Sequence, residues 1–144
     1  MPSIPAPAED DPVVSEQGRE FTDVISLTSK STGMSRVAVG SGDTSIGDQI
    51  IITADLFRDG LAYGTEAAVC TRVAADTTHC VGTFALPQGQ LTWQHMQTTP
   101  VGTPPENFCV AITGGTGLYA AARGFARIAH TAQAGGDLTL YLSY

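Results

Sequence analysis

From residue 20 onward, apolar and polar side chains alternate in short segments, and no stretch holds a 3.6-residue period over three turns. The segments predict strands at residues 20–30, 34–39, 49–57, 61–73, 78–86, 90–98, 107–113, 123–131 and 137–144. In the first, Phe21, Asp23, Ile25 and Leu27 share a face; the third carries the β-branched run Ile50, Ile51, Ile52. Turn residues separate them: Gly-Ser-Gly-Asp at 40–43, Asp59-Gly60, Pro87-Gln88-Gly89, a Pro-rich loop at 99–106, a turn-like stretch at 114–122 with one helical turn at 120–122, and a turn at 133–136. Eight or nine strands at this meander spacing predict an all-β chain: an eight-stranded (alternatively nine-stranded) antiparallel up-and-down barrel with a central apolar cavity, or a sandwich. About eight strands leave an interior wide enough for side chains or one small ligand.

Parity along the hairpin of residues 61–86 assigns faces. Cys70 and Cys80 lie symmetrically about Ala75 and so face each other. Opposed cysteines can reach disulfide distance, and the sequence leaves open whether they bond. The Cys80 face carries Gly82, Phe84 and Leu86, and the matching face of the partner strand carries Gly64, Glu66, Ala68, Cys70 and Arg72. These faces are assigned to the lumen. Glu66 is then a candidate acid or base, because a carboxyl in an apolar barrel has a raised pKa; the alternative sets it at the rim, in water. Leu91, Trp93 and His95 share a face of the next strand. Trp93, the single Trp, would shape the cavity, and His95 would donate a hydrogen bond to a carbonyl. Asp55 is a second interior carboxylate candidate. Phe84, Leu91, Tyr63, Met34 and Ile128 are candidate substrate contacts, and Cys109 is assigned to the core.

Composition narrows the classes. With net charge −7 and pI near 4.6, the chain has no basic stripe for nucleic acid or an anionic membrane. A low charged fraction of 15% suits an apolar ligand. Residues 1–19 form an acidic Pro/Ala-rich tail, with residues 20–144 as one barrel domain. The tail reads as solvated; its functional alternative is a lid over the pocket, anchored by Ile4, Val13 and Val14. The N-terminus has neither a basic nor an apolar signal region, so a cytoplasmic protein is expected. The three His sit on different strands without ligand spacing, so no metal is expected. No nucleophile-elbow sequence supports Ser-His-Asp catalysis.

The stretch Ile112-Thr113-Gly114-Gly115-Thr116-Gly117-Leu118-Tyr119-Ala120-Ala121-Ala122-Arg123-Gly124 resembles the late turn of the allene oxide cyclase barrel superfamily, which includes plant dirigent proteins and small bacterial barrels. Gly47-Asp48-Gln49, Asp55-Leu56-Phe57, Gly64-Thr65, Val69-Cys70-Thr71, Cys80 and Leu86-Pro87-Gln88-Gly89-Gln90-Leu91-Thr92 agree in order and spacing. The resemblance implies an eight-stranded barrel with an apolar lumen and no metal or organic cofactor. It also implies a homodimer or other homo-oligomer, and ring closure or coupling of a hydrophobic small molecule. Bacterial relatives include late polyketide cyclases of antibiotic biosynthesis that perform [4+2] cycloadditions. A cofactor-free cyclase is therefore the leading expectation. A dirigent-like binder without catalysis, and a barrel filled by its own side chains, are the alternatives. Without the resemblance, residues 114–124 read as architectural: they lack the Lys-Ser/Thr ending of a phosphate loop.

Overall fold

A computed structural model describes residues 21–40, 45–98, 107–132 and 135–144. The predicted tail with its lid role, most of the turn at 40–43, the Pro-rich loop and part of the turn at 133–136 fall outside them.

The strands are β1 (Asp23–Val37), β2 (Gln49–Arg58), β3 (Leu61–Ala74), β4 (Thr77–Leu86), β5 (Gly89–Thr98), β6 (Asn107–Gly115), β7 (Arg123–Ala132) and β8 (Gly135–Ser143). Each pairs antiparallel with its sequence neighbours, and β8 closes on β1. The eight-stranded expectation holds. Among the described residues there is no ninth strand, because the predicted segments 20–30 and 34–39 contribute to one long β1 (Asp23–Val37). A bulge between Ser31 and Gly33 absorbs the irregularity that read as a break. Thr32, the extra residue, is tied across the strands to the Thr53 hydroxyl at 2.9 Å. The bulge resets parity, so that Ser31 pairs with Ala54 and Met34 with Ile52.

Asp59 and Gly60 both have positive φ, 52° and 80°, as the two-residue turn between β2 and β3 requires. After β6 the single helical turn lies at Gly117–Tyr119, not at 120–122. Backbone bonds from Thr116 to Gln90 and from Leu118 to Gln88 dock this segment on the start of β5, so it is architectural. The dock seats Tyr119, 1% exposed, in the core.

Alternation decides the inside. Ile25 and Leu27 of β1, Leu56 of β2, Phe84 of β4, Leu91 and Trp93 of β5, Val110 of β6, Ala126 of β7 and Leu138, Leu140 and Leu142 of β8 are buried in one cluster. Cys109 is not part of it: Val110 takes the inward position, and Cys109 lies half-buried opposite Arg127 on the other face.

Cys70 and Cys80 are directly paired and bonded, with Cα atoms 4.0 Å apart. The bond closes a loop between residues 10 apart in sequence. Chain-entropy arguments give such a closure about 2–3 kcal/mol. The double variant Cys70→Ala/Cys80→Ala is expected to lose about that much in urea unfolding, and reductant should lower the wild-type midpoint without affecting the variant.

Candidate active site in the barrel lumen

The site is built on three adjacent strands. In register, Trp93 of β5 pairs with Gly82 of β4, and Gly82 with Ala68 of β3. One step along, Leu91 pairs with Phe84, Phe84 with Glu66, and Glu66 with Ala54 of β2. Because Gly82 has no side chain, the Trp93 indole lies flat across β4; a Cβ at Gly82 would overlap indole Cε2, Cζ2 and Nε1. The ring also stacks on Phe84 at 6.1 Å between centroids. This carries the indole N–H from β5 towards the Glu66 carboxyl on β3, close enough to act on its titration.

Burial pushes the Glu66 carboxyl up to about 7, and the nearby Trp93 N–H restrains the rise. Glu66 is half-buried and pairs on either side with the buried Ala54 and Phe84, so it lies on the inward face of β3. Trp93 Nε1 is buried and has no hydrogen-bond partner of good geometry among the described residues. A buried donor in that state is one that an incoming carbonyl oxygen can satisfy. Small side chains at Ala54 and Ala68, both buried, flank the carboxyl.

The barrel ends differ. The lower end carries Tyr119, Tyr63, Arg58, Asp23 and Tyr144. Arg58 donates to the Tyr63 hydroxyl at 3.1 Å and lies over its ring, and Tyr144 donates to Asp23 Oδ2 at 3.0 Å. Burial, then the Asp23 bond, pushes Tyr144 up to about 12, and burial followed by Tyr63 raises Tyr119. Towards the upper end His95 stacks on Phe108 at 5.0 Å, and His130 meets Phe108 edge-on at 6.0 Å. At the upper mouth a cavity of about 50 Å³ is lined by Arg36, Asp48, Gln49, Ile50, Cys70, Arg72 and Thr78. Asp48 accepts from the Val39 and Ser45 amides and from Arg36, each at 2.9 Å, and these bonds lower its carboxyl to about 2. A larger cavity, about 480 Å³, is lined by residues of outward parity, among them Ile51, Val69, Val81 and Gln94, and also by Ala68, Gly82 and Trp93. Among the described residues, no three His, Cys, Asp or Glu gather as metal ligands.

No protein-family profile matches the sequence, and no curated protein does. Solved structures do. A pyocyanin demethylase superposes with TM-score 0.71 at 26% identity, over 84% of this chain and 100% of that one. The Diels-Alderase AbmU from Streptomyces koyangensis superposes with TM-score 0.67 at 15% identity, over 99% of this chain and 82% of that one. A pterocarpan synthase dirigent protein gives 0.62 at 17% identity, over 83% and 82%. The fold is that of the dirigent-like and [4+2]-cyclase barrels.

Within this dirigent-like barrel the predicted residues separate. Glu66, Trp93, Phe84 and Leu91 come together in the lumen, with His95 nearer the mouth. Ile128 packs against the same core from β7. Three expectations need correction. Asp55 faces outward and is exposed, because Ala54 and Leu56 on either side of it take the inward positions. Met34 has lumen parity but is 71% exposed, so it belongs to the upper rim. Tyr63 sits beside the bulge between Leu56 and Phe57, and its hydroxyl joins the lower network rather than the Glu66 cluster. Sequence reasoning missed Phe108, although the alternation Phe108, Val110, Ile112 carries the signal. No helix among the described residues is long and apolar enough to cross a membrane.

Proposed function

We propose that the barrel is a cofactor-free cyclase that closes a ring within a linear polyketide-type substrate, by [4+2] cycloaddition. The observation that carries this reading is a single half-buried carboxyl set among the buried Ala54, Ala68 and Phe84 near a buried indole N–H; burial there pushes it up to about 7. A neutral Glu66 donates to a conjugated carbonyl of the dienophile, and Trp93 offers a second donor. Both draw electron density from the reacting double bond and speed its capture by the diene. Two carbon–carbon bonds form, the π electrons supply them, and no proton changes hands in the net reaction.

The barrel's larger contribution is confinement: well-aligned intramolecular reactions gain up to about 7–11 kcal/mol. A preorganised donor adds a factor of roughly 10²–10³. The mouth cavity of about 50 Å³ holds one functional group, so a whole substrate must part the rim side chains, Met34 and His130, which are both exposed.

The test is incubation with a linear polyene carrying a conjugated diene and an α,β-unsaturated carbonyl. Accelerated closure to one stereoisomer is expected; a rate and product ratio equal to buffer would sink the proposal. A dirigent-like carrier would instead change Trp93 fluorescence on binding and leave the rate alone. A second reading, demethylation of a flat aromatic, is favoured by the 26% identity to the pyocyanin demethylase over its whole length. Incubation with pyocyanin, read by mass for loss of the methyl group, separates it from the first.

A further inference from the structure

The upper mouth of the lumen concentrates positive charge in an acidic protein. The chain has only 7 Lys and Arg against 14 Asp and Glu, yet Arg36 and Arg72 both line one small cavity. Asp48 is the sole acid lining it, and its oxygens are engaged. Oδ1 accepts the Val39 amide; Oδ2 accepts the Ser45 amide and Arg36. Its charge is thus committed to holding Val39 and Ser45, and the backbone of Gly47 and Asp48 is further tied to Arg72, at its O and its N respectively.

Arg72 differs from Arg36. It occupies an inward position on β3 next to the Cys70–Cys80 bond, and it has no carboxylate partner among the described residues. Among the described residues its one side-chain hydrogen bond runs from Nη1 to the Ala75 carbonyl at 2.9 Å. A guanidinium has five N–H donors in a planar fork, so most of its capacity is uncommitted. Thr78, paired with Arg72, adds a hydroxyl to the same wall. The volume, about 50 Å³, takes roughly four non-hydrogen atoms. A planar two-oxygen anion matches that size, the fork geometry and the net positive lining.

We propose that this mouth cavity is a carboxylate-binding site, built on Arg72 and assisted by Arg36 and Thr78. It would hold the acidic end of an elongated ligand whose apolar body runs down the lumen. Cys70 and Glu66 are four residues apart on β3, so about 13 Å of strand separates the level of the cavity from that of Glu66. The site then also sets which carbon of a substrate reaches Glu66. This last consequence rests on the cyclase reading, whereas the anion site does not.

The test needs no reaction. Trp93, the only Trp, lies two residues along β5 from the level of the disulfide and reports lumen occupancy. At pH 8, decanoate is expected to change its emission with a Kd at least tenfold lower than that of decanamide. Arg72→Gln should abolish this preference with decanamide affinity unchanged, which also shows the variant barrel intact. Arg72→Lys, which keeps charge but loses the fork, should keep part of the preference. Equal affinities in the wild type, no response to decanoate, or a preference that survives Arg72→Gln would each overturn the proposal. If the preference stands while the polyene fails to cyclise, only the reaction assignment falls.

Discussion

Glu66→Gln is expected to slow ring closure by at least a hundredfold while making the protein more stable at pH 8. The first effect follows from losing an acidic O–H aimed at the substrate carbonyl, a preorganised donor that contributes a factor of about 10²–10³. The second follows from linkage. The folded protein holds the Glu66 proton up to about pH 7, against a reference value of 4.5. Between those values the native state binds a proton that the unfolded chain has already released. Stability therefore falls as pH rises from about 4.5 through 7, and the contribution is absent above that window. The span corresponds to about 3 kcal/mol. Gln has no charge to desolvate, so its unfolding free energy should lack this decline. Urea unfolding of both proteins at pH 5 and pH 8 checks the point, and a variant equally destabilised at both pH values would contradict it.

Gly82→Ala has the next largest expected effect. Glycine is a poor strand residue, so its presence in the middle of β4 calls for a reason. Here the reason is the indole: an added Cβ would overlap three of its ring atoms. The ring must tilt off β4, at a cost of about 1–3 kcal/mol for an overpacked core. Its N–H then leaves Glu66, and because that N–H lowers the carboxyl, the Glu66 titration should move upward. The expected signature is a shifted Trp93 emission, a higher Glu66 titration point and roughly a hundredfold loss of ring closure. A variant that is merely less stable, with the Glu66 titration unmoved, would show that Gly82 serves packing alone.

The residues that mattered most were legible through parity. The β3–β4 hairpin is nearly symmetrical about Ala75, so alternation assigned Glu66, Ala68, Cys70, Cys80, Gly82 and Phe84 to one face, and register keeps them there. Trp93 followed by the same rule on β5. Parity failed where the chain departs from it. The run Ile50, Ile51, Ile52 gives no alternation, so nothing local told that Ala54 and Leu56, not Asp55, point inward; pairing with β3 decides that. The bulge at Ser31–Gly33 hid the continuity of β1 and left Met34 at the rim. The mouth cluster was hidden differently. Arg36, Asp48 and Arg72 come from β1, the residue before β2 and the end of β3, and no spacing in the sequence announces their meeting. The reach of Trp93 over Gly82 was equally silent, because it depends on which residues are paired across β4 and β5.

The account rests on a Glu66 carboxyl whose titration is raised to about 7 inside the folded barrel, so that a large share of it keeps its proton at neutral pH. Carbon-13 labelling of the Glu side chains reads this directly, with the Glu66 carboxyl resonance identified by its absence from Glu66→Gln. The account predicts a titration midpoint near pH 7. A midpoint near 4.5, the ordinary value for a solvated glutamate, would contradict it.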